Sequence, residues 1–230
     1  MGSASSKSRP RGKRGEAAPE MRRAARQIIE RQGVSSLSFR ALAAELQVSH
    51  SAPLHHFGTI AGLLGSVAAE AFAELASELK NERETREPSD ETLARLAHGY
   101  ASWARDNANV YQAIHSPALW NVVQGAYAPT QGRQNPPGQS ARDRAMPLIE
   151  DASNAREMAF AEFVQAAKSD PSLSKQSKPA PRPGEVARMV TTLVDGYLFQ
   201  LFNEFRLTNP ARNEVKKMVQ LALRGVQSKR

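Results

Sequence analysis

Apolar residues recur every three or four positions along most of this 230-residue chain, and no segment shows the strict alternation of a half-buried strand. This spacing places apolar side chains on one face of a helix, so a core has to form between helix faces. The chain has no cysteine, so packing without disulfides must stabilise it. We therefore predict an all-α fold, with helices over 21–32, 38–47, 49–57, 60–84, 91–106, 110–115, 117–127, 148–168, 185–205 and 211–227.

Four residues suited to helix ends divide the first 60 residues into short helices. Gly33 can close the first helix as a C-cap. Ser38, Ser49 and Thr59 each offer a side-chain oxygen that can cap the N-terminus of the helix that follows. The second and third helices are separated by a tight turn at Leu46-Gln47-Val48. Three short helices joined in this way outline a helix-turn-helix unit.

Composition divides the chain into three predicted parts. Residues 1–18 form a disordered basic arm, residues 19–60 a three-helix helix-turn-helix domain, and residues 61–230 a larger helical domain for effector binding and dimerisation. Residues 1–60 contain ten basic and four acidic residues, so they carry +6 of the formal net charge of +8. A basic end on a near-neutral body is typical of a protein that binds a polyanion.

Several classes of protein are disfavoured by what the sequence lacks. It shows no Ser/His/Asp order, phosphate-binding glycine loop or carboxylate pair with a histidine partner, so we expect no catalytic site and no cofactor. His55 and His56 are adjacent and would point about 100° apart on a helix, so we expect no metal site. No apolar run approaches about 20 residues and no secretory signal is present, so we expect a cytoplasmic protein without a membrane partner.

Three segments carry a specific resemblance through their order and spacing. They are Ile28–Gly33 (IIERQG), Leu37–Ala43 (LSFRALA) and Val48–Phe57 (VSHSAPLHHF). Together they resemble the DNA-binding signature of the tetracycline-repressor (TetR) family, and the long helices that follow are also similar to that family. The resemblance implies an all-helical homodimeric transcription regulator that binds double-stranded operator DNA.

The same resemblance implies which residues contact DNA. A recognition helix needs short polar side chains near its N-terminal end so that its backbone can enter the major groove, and residues 49–52 (SHSA) meet that need. The family usually has Tyr where Leu54 stands, so we expect an apolar contact, such as one with a thymine methyl group, in its place. The predicted DNA-binding residues are Ser38, Arg40, Ser49, His50, Ser51, Ala52, Leu54, His55, His56 and Thr59.

Two features of this region have plain alternatives. The basic residues 9–14 of the arm fit the DNA backbone or a minor groove, or they only aid solubility. Pro53 falls in the first turn of the third helix, where a missing N–H is tolerated, or it reduces that helix to a turn. If the arm alone supplied the affinity, the chain would be a nonspecific nucleic-acid or anionic-surface binding protein.

The last two predicted helices have more apolar surface than one core face requires. Apolar residues run from Val186 to Phe205 and again from Val215 to Val226. One face can pack inward while the excess meets a second copy, which predicts a homodimer through helices near 185–205 and 211–227. The alternative is that the broad face is buried within one chain. By resemblance to the TetR family, such a dimer presents two recognition helices to a pseudo-palindromic operator.

Aromatic residues with polar tips between residues 95 and 163 suit either a ligand cavity or an ordinary core. The predicted effector-binding residues are His98, Trp103, Tyr111, His115, Trp120, Phe160 and Phe163. LAHGY at 96–100 and VDGY at 194–197 resemble a TetR subgroup whose C-terminal domain is named for Trp, His and Gly (WHG-type), with Asp195 where that subgroup has His. The family resemblance implies that a small apolar or amphipathic effector binds here and releases a repressor from its operator.

Overall fold

The computed structural model describes residues 17–123, 139–175, 181–203 and 212–227, and every regular element within these ranges is helical. The all-α prediction is thereby confirmed. A 3₁₀ turn, Val34–Ser36, follows the first helix. The α-helices are α1 (Ala17–Gln32), α2 (Phe39–Leu46), α3 (Ser51–Phe57), α4 (Ile60–Glu84), α5 (Thr92–Asp106), α6 (Ala108–Ile114), α7 (Pro117–Val123), α8 (Gln139–Ser169), α9 (Pro171–Lys175), α10 (Pro183–Asn203) and α11 (Arg212–Gln227).

Helices α1 to α3 form the predicted helix-turn-helix unit, and most of its capping signals act as expected. Gly33 closes α1 with φ at +78°, in the region that favours glycine. The Ser38 hydroxyl accepts a hydrogen bond from the Ala41 N–H at 3.0 Å, so Ser38 caps α2. The Thr59 hydroxyl likewise accepts from the Gly62 N–H at 3.0 Å and caps α4. These three predicted helix ends are confirmed.

The start of the third helix differs from the prediction. Gln47 reverses the chain after α2 in the left-handed region, with φ at 56° and ψ at 39°. The predicted N-cap role of Ser49 is wrong, because α3 begins at Ser51 and is preceded by His50 without a side-chain cap. His50 already has helical angles, φ −58° and ψ −25°, whereas a capping residue has extended ones. The Ser49 carbonyl instead accepts from the Ala52 N–H at 3.0 Å.

Helix α4 is the central helix of the larger helical domain. It packs against α1, α5, α6, α7 and α8, and Leu63, Leu64 and Phe72 are among its buried residues. Contrary to the sequence expectation, α4 is long and apolar enough by length and composition to cross a membrane. However, 67% of its apolar window is buried against other helices of the protein, as in the core helix of a helical domain.

Helix α8 begins at Gln139, well before the predicted start just after Pro147. A proline inside a helix costs about 3 kcal/mol, which is why the sequence favoured a start there. In the structure Ala141, Ala145 and Ile149 are buried, and they contact the C-terminal end of α3 and the first turns of α4. This long-range packing offsets the cost of Pro147 and extends the helix through it.

The remaining described helix limits lie close to those predicted. Helices α5, α6 and α10 begin within two residues of the expected positions, and the predicted break over 169–184 contains the short α9. Helix α1 begins at Ala17, so residues 17–18 belong to it rather than to the arm. Residues 1–16, and the predicted helix positions 124–127, 204–205 and 211, lie outside the described residues.

Polar contacts orient α1 against the larger helical domain. Arg26 pairs with Glu74 of α4, and this hydrogen-bonded carboxylate raises the pKa of Arg26 above its usual value. The Asn109 amide of α6 donates to the Glu30 carbonyl at 2.9 Å. Partly exposed ion pairs contribute only about 0–1 kcal/mol each, so these contacts set the orientation of α1 more than its stability.

Candidate nucleic-acid interface and ligand cavity

Helix α3 has one buried face and one exposed face. Pro53 and Phe57 are buried, and Phe57 is 3% exposed. Pro53 is the third residue of α3, where a backbone N–H has no intrahelical partner, so the helix continues through it. Ala52 is half-buried, and the exposed residues are Ser49, His50, Ser51, Leu54, His55 and His56. The predicted base-reading set therefore lies together on the solvent side of a short helix.

Three further predicted residues lie at the starts of α2 and α4, the helices that precede and follow α3. Ser38 and Thr59 are half-buried and use an oxygen lone pair to cap α2 and α4. A hydroxyl that accepts through one lone pair still has its proton to donate, so both remain able to bind a phosphate oxygen. Arg40, in the first turn of α2, is exposed. The flanking groups are thus donors, as a phosphate backbone requires.

Apolar side chains also reach the exposed face. Leu54 is 41% exposed on α3, and Val48, in the turn before it, is 39% exposed. Val48 therefore does not pack α3 against the first two helices, whereas the buried Phe57 belongs to the core cluster. An exposed Leu beside small polar residues is suited to contact with a thymine methyl group.

The C-terminal end of α3 abuts α8 at Gly58. This glycine has φ at +69°, and a Cβ there would lie 1.9 Å from the Ala141 carbonyl oxygen. Any other residue would therefore separate the backbones. Close approach continues along α4, where a Cβ at Gly62 would lie 2.9 Å from the Ala145 Cβ and one at Gly65 would lie 2.8 Å from the Leu148 oxygen. We refer to Gly58, Gly62 and Gly65 with their α8 neighbours as the glycine seam.

Helix α8 also lines an open cavity of about 430 Å³, bordered by α4, α5, α7, α8 and α10. Its apolar wall includes Phe72 and Leu75 from α4 and Phe160 and Phe163 from α8. The volume falls within the range usual for small-molecule sites. Its polar lining comes from Tyr100, His115, Arg156, Glu157, Arg188, Thr191, Thr192 and Asp195.

Two phenols converge on Asp195 at one end of the cavity. The Tyr100 hydroxyl donates to Asp195 Oδ1 at 2.6 Å, and the Tyr111 hydroxyl donates to the same oxygen at 3.2 Å. Burial, followed by the charge of Asp195, raises the pKa of both tyrosines above the usual value, so both remain protonated donors. Asp195 Oδ2 accepts no hydrogen bond from any residue in the described ranges.

His115 lies beside this pair and opens onto the cavity. Its Nδ1 is 2.9 Å from the Tyr111 carbonyl, which can only accept, so Nδ1 carries a proton. The surrounding protein lowers the pKa of His115 below its usual value by desolvation, which favours the neutral ring. Nε2 is then an acceptor, 3.5 Å from a Tyr100 hydroxyl whose proton is directed at Asp195.

The structure brings most of the predicted effector-binding residues to this cavity. His115, Trp120, Phe160 and Phe163 line it, and Tyr111 reaches it through Asp195. Trp103 is buried elsewhere in the core, and His98 lines a separate cavity of about 260 Å³ among charged residues of α4, α5 and α11. Sequence reasoning did not select Arg156, Arg188 or Asp195 as cavity residues. A signal for Asp195 was present in the sequence, because it stands in the VDGY segment where the WHG-type subgroup has His. Membership of that subgroup stays a prediction.

The last two helices expose large apolar side chains, as the dimer prediction requires. Phe199 of α10 is 72% exposed, and Leu221 of α11 is 67% exposed. Other apolar residues of these helices, such as Val194 and Val219, are fully buried. The broad apolar face is therefore divided between the core and the surface.

A helix-turn-helix unit with an exposed recognition helix, mounted on a larger helical domain, defines the class of helical DNA-binding transcription regulators. Residues 22–67 match the family model for bacterial regulatory proteins of the tetR family. The match covers most of α1, then α2, α3 and the first turns of α4, so the N-terminal domain of the chain is similar to the DNA-binding domain of that family.

Solved structures resemble the chain over nearly its full length. A protein with unknown function from Rhodococcus sp. RHA1 is 19% identical, with 96% of this chain and 97% of that chain covered and a TM-score of 0.61. The TetR family transcriptional regulator PfmR from Thermus thermophilus is 16% identical, with 90% and 96% covered and a TM-score of 0.43. No curated protein matches the sequence. The similarity to the Rhodococcus protein shows that the two chains share a fold that includes the C-terminal helices, and it gives no information on a ligand.

Proposed function

We propose that the chain is a cytoplasmic one-component repressor that binds a pseudo-palindromic operator as a homodimer and leaves it when a small molecule fills the cavity. The observation that carries this proposal is the two-sided α3. Phe57 holds one side in the helix-turn-helix core, while Ser51, Leu54 and His55 stand exposed on the other. A face of mostly small or partly apolar side chains without Lys or Arg is suited to base edges, whereas a face that only neutralised phosphates would carry several Lys and Arg residues.

In the proposed complex α3 enters the major groove with its N-terminal end first. Residues 49–52 leave room for the backbone to approach base edges, and Leu54 meets a thymine methyl group. Ser38, Arg40 and Thr59 donate to phosphates on either side of the groove and fix the register.

The proposed dimer forms through α10 and α11. Exposed Phe199 and Leu221 supply apolar anchors, which are common at the centres of stable interfaces. Two-fold symmetry would place two copies of α3 about 34–36 Å apart, one helical turn of DNA. Each copy would then read one half of the operator.

Helix α8 is the proposed link between the cavity and α3. Arg156, Phe160 and Phe163 line the cavity, and Ala141 and Ala145 of the same helix lie in the glycine seam. At 1.5 Å per residue, the two sets of residues are about 17–33 Å apart along one continuous helix. A ligand that shifts α8 at the cavity would therefore displace the C-terminal end of α3 and change the spacing of the two recognition helices.

The test is a gel shift with DNA from immediately upstream of the chain's own gene. Ser51→Glu should weaken the specific complex at least about 100-fold, because a carboxylate facing phosphates costs several kcal/mol. Ser51 is the first residue of α3, where an acidic side chain is favourable to the helix, so the variant should fold. Ser35→Glu is the matched control, since Ser35 is exposed in the 3₁₀ turn that contacts α6. Equal loss in both variants would refute base reading by α3.

The basic arm supports a second candidate, nonspecific binding to nucleic acid or to an anionic surface, since residues 1–60 carry most of the net charge. Deleting residues 1–16 separates the two candidates. An operator-binding regulator keeps its sequence preference and loses only part of its salt dependence. A nonspecific binder loses nearly all affinity.

A further inference from the structure

The cavity between α8 and α10 has opposite polar chemistry at its two ends. Arg188, Thr191 and Asp195 lie at positions i, i+3 and i+7 of α10, and all three line the cavity. Seven residues of helix span about 10.5 Å. A cation therefore stands at one end of a polar stripe, a carboxylate at the other and a hydroxyl between them.

The carboxylate end lacks a donor. Asp195 Oδ1 already accepts from two phenols, whereas Oδ2 accepts from no side chain or backbone group among residues 17–123, 139–175, 181–203 and 212–227. His115 Nε2 is a second acceptor there, because the Tyr100 proton is committed to Asp195 at 2.6 Å rather than to His115 at 3.5 Å. Two neighbouring acceptors call for a group with several N–H donors.

The charge and the rings favour a cationic donor at this end. Asp195 supplies a carboxylate, and the rings of Tyr100 and Tyr111, whose hydroxyls donate to it, meet with centroids 6.2 Å apart. A carboxylate among aromatic rings is a favourable setting for an ammonium group. The long apolar wall formed by Phe72, Phe160 and Phe163 suits a hydrocarbon body attached to it.

The opposite end favours an anion. Arg156 and Arg188 are exposed at the rim, and neither guanidinium forms an ion pair with another described residue. Arg156 is instead stacked over Trp120, 5.0 Å from the ring centroid. Glu157 also lines the rim, so the rim carries two cations and one anion. Arg188 is the cation that shares the α10 stripe with Asp195.

We propose that this cavity binds an elongated amphipathic zwitterion, with a primary ammonium held by Asp195 and His115, an apolar chain along α4 and α8, and a carboxylate paired with Arg188. This inference rests on the proposed function, because it takes the cavity to be the effector site. The rim arginines disfavour ligands with two cationic ends.

A matched probe series tests the proposal by calorimetric titration of the full-length protein. The probes are 8-aminooctanoate, chosen to match the roughly 10.5 Å of helix between Arg188 and Asp195, and octylamine and octanoate, each of which lacks one end. We expect 8-aminooctanoate to bind at least about tenfold more tightly than either partial probe. No binding by any probe, or binding of octanoate or octylamine as tight as that of 8-aminooctanoate, would overturn the proposal.

Two variants test separately which end of the cavity binds the ammonium and which binds the carboxylate. Asp195→Asn should reduce the affinity for 8-aminooctanoate to about that for octanoate, and Arg188→Gln to about that for octylamine. Asp151→Asn is the matched control, since Asp151 is exposed on α8 and does not line the cavity. An equal loss of all three probes in Asp195→Asn would show a structural effect and overturn its assigned role.

A gel shift on the same preparations separates the two levels of inference. If the protein binds DNA sequence-specifically but does not prefer 8-aminooctanoate, the zwitterion proposal is refuted and the proposed regulator function stands. If the protein prefers 8-aminooctanoate but does not bind DNA sequence-specifically, the proposed regulator function is refuted and the zwitterion proposal stands.

Discussion

Replacing Gly65 with alanine tests the glycine seam that joins α4 to α8. A Cβ at this position would lie 2.8 Å from the Leu148 carbonyl oxygen and 3.1 Å from the Ile149 Cα. Ordinary van der Waals contact begins at 3.4 Å, so the oxygen is too close and both neighbours belong to the backbone. No side-chain rotation can relieve this overlap, and the two helices must move apart.

The expected cost follows from two opposing effects. Alanine in a helix interior gains about 0.5–1 kcal/mol over glycine through lower unfolded-state entropy. Overpacking a tight core contact costs about 1–3 kcal/mol. Gly99→Ala is the matched control, because Gly99 lies inside α5 and its Cβ would meet only Leu79 Cδ2 at 3.8 Å. Both variants therefore gain the same helix stabilisation from alanine, and only Gly65→Ala is also destabilised by overpacking against α8.

Thermal unfolding followed by circular dichroism measures the difference. We expect Gly99→Ala to raise the melting temperature and Gly65→Ala to lower it. A cost of about 2 kcal/mol would separate the two variants by about 4–8 °C in a chain of this size. If both variants melted at the same temperature, the backbones would not meet at the glycine seam, and α8 could not act on α3 through it.

Three further outcomes follow from the described contacts. Arg40→Ala should weaken operator binding about equally for all operator variants, as measured by gel shift at several salt concentrations. The slope of log affinity against log salt concentration should fall in magnitude by about one. A change in base preference would show instead that Arg40 contacts a base. Leu221→Asp should give a monomer in sedimentation experiments, because dimerisation would desolvate the new charge at the proposed α11 contact. Met158→Asp, at an exposed residue of α8, should remain a dimer. A dimer in both variants would exclude α11 from the interface. Tyr111→Phe should lower the free energy of unfolding by about 1 kcal/mol in urea titrations, since it removes one donor to a charged oxygen, and unchanged stability would mean that the 3.2 Å contact with Asp195 adds nothing.

The parts of the fold that the sequence predicted are those with local causes. Ser38 and Thr59 cap helices because the N–H groups they satisfy lie three residues away, and the predicted limits of α4 match the structure at Ile60 and Glu84. The exposed set on α3 was also predictable, because the family signature fixes its register. Ser49 failed as a cap since the preceding turn, through Gln47, leaves His50 already helical.

The parts that the sequence missed depend on distant residues. Pro147 reads as a helix start unless the buried contacts of Ala141 and Ala145 with α3 and α4 are known. The donors to Asp195 come from 95 and 84 residues away, so no spacing within α10 signals them. The aromatic composition between residues 95 and 163 predicted a cavity or a core, and only the packing separates Trp120, which lines the cavity, from Trp103, which does not.

The position of Pro147 has a mechanical consequence. It lies within the glycine seam, after Ala145 and before Leu148, and it precedes the cavity residues Phe160 and Phe163 on the same helix. A proline removes one backbone bond from the ladder, and helices bend most readily where such a bond is missing. If α8 links the cavity to α3 as proposed, the helix can bend at this missing bond, and a displacement of α8 at Phe160 would then be smaller when it reaches Ala141.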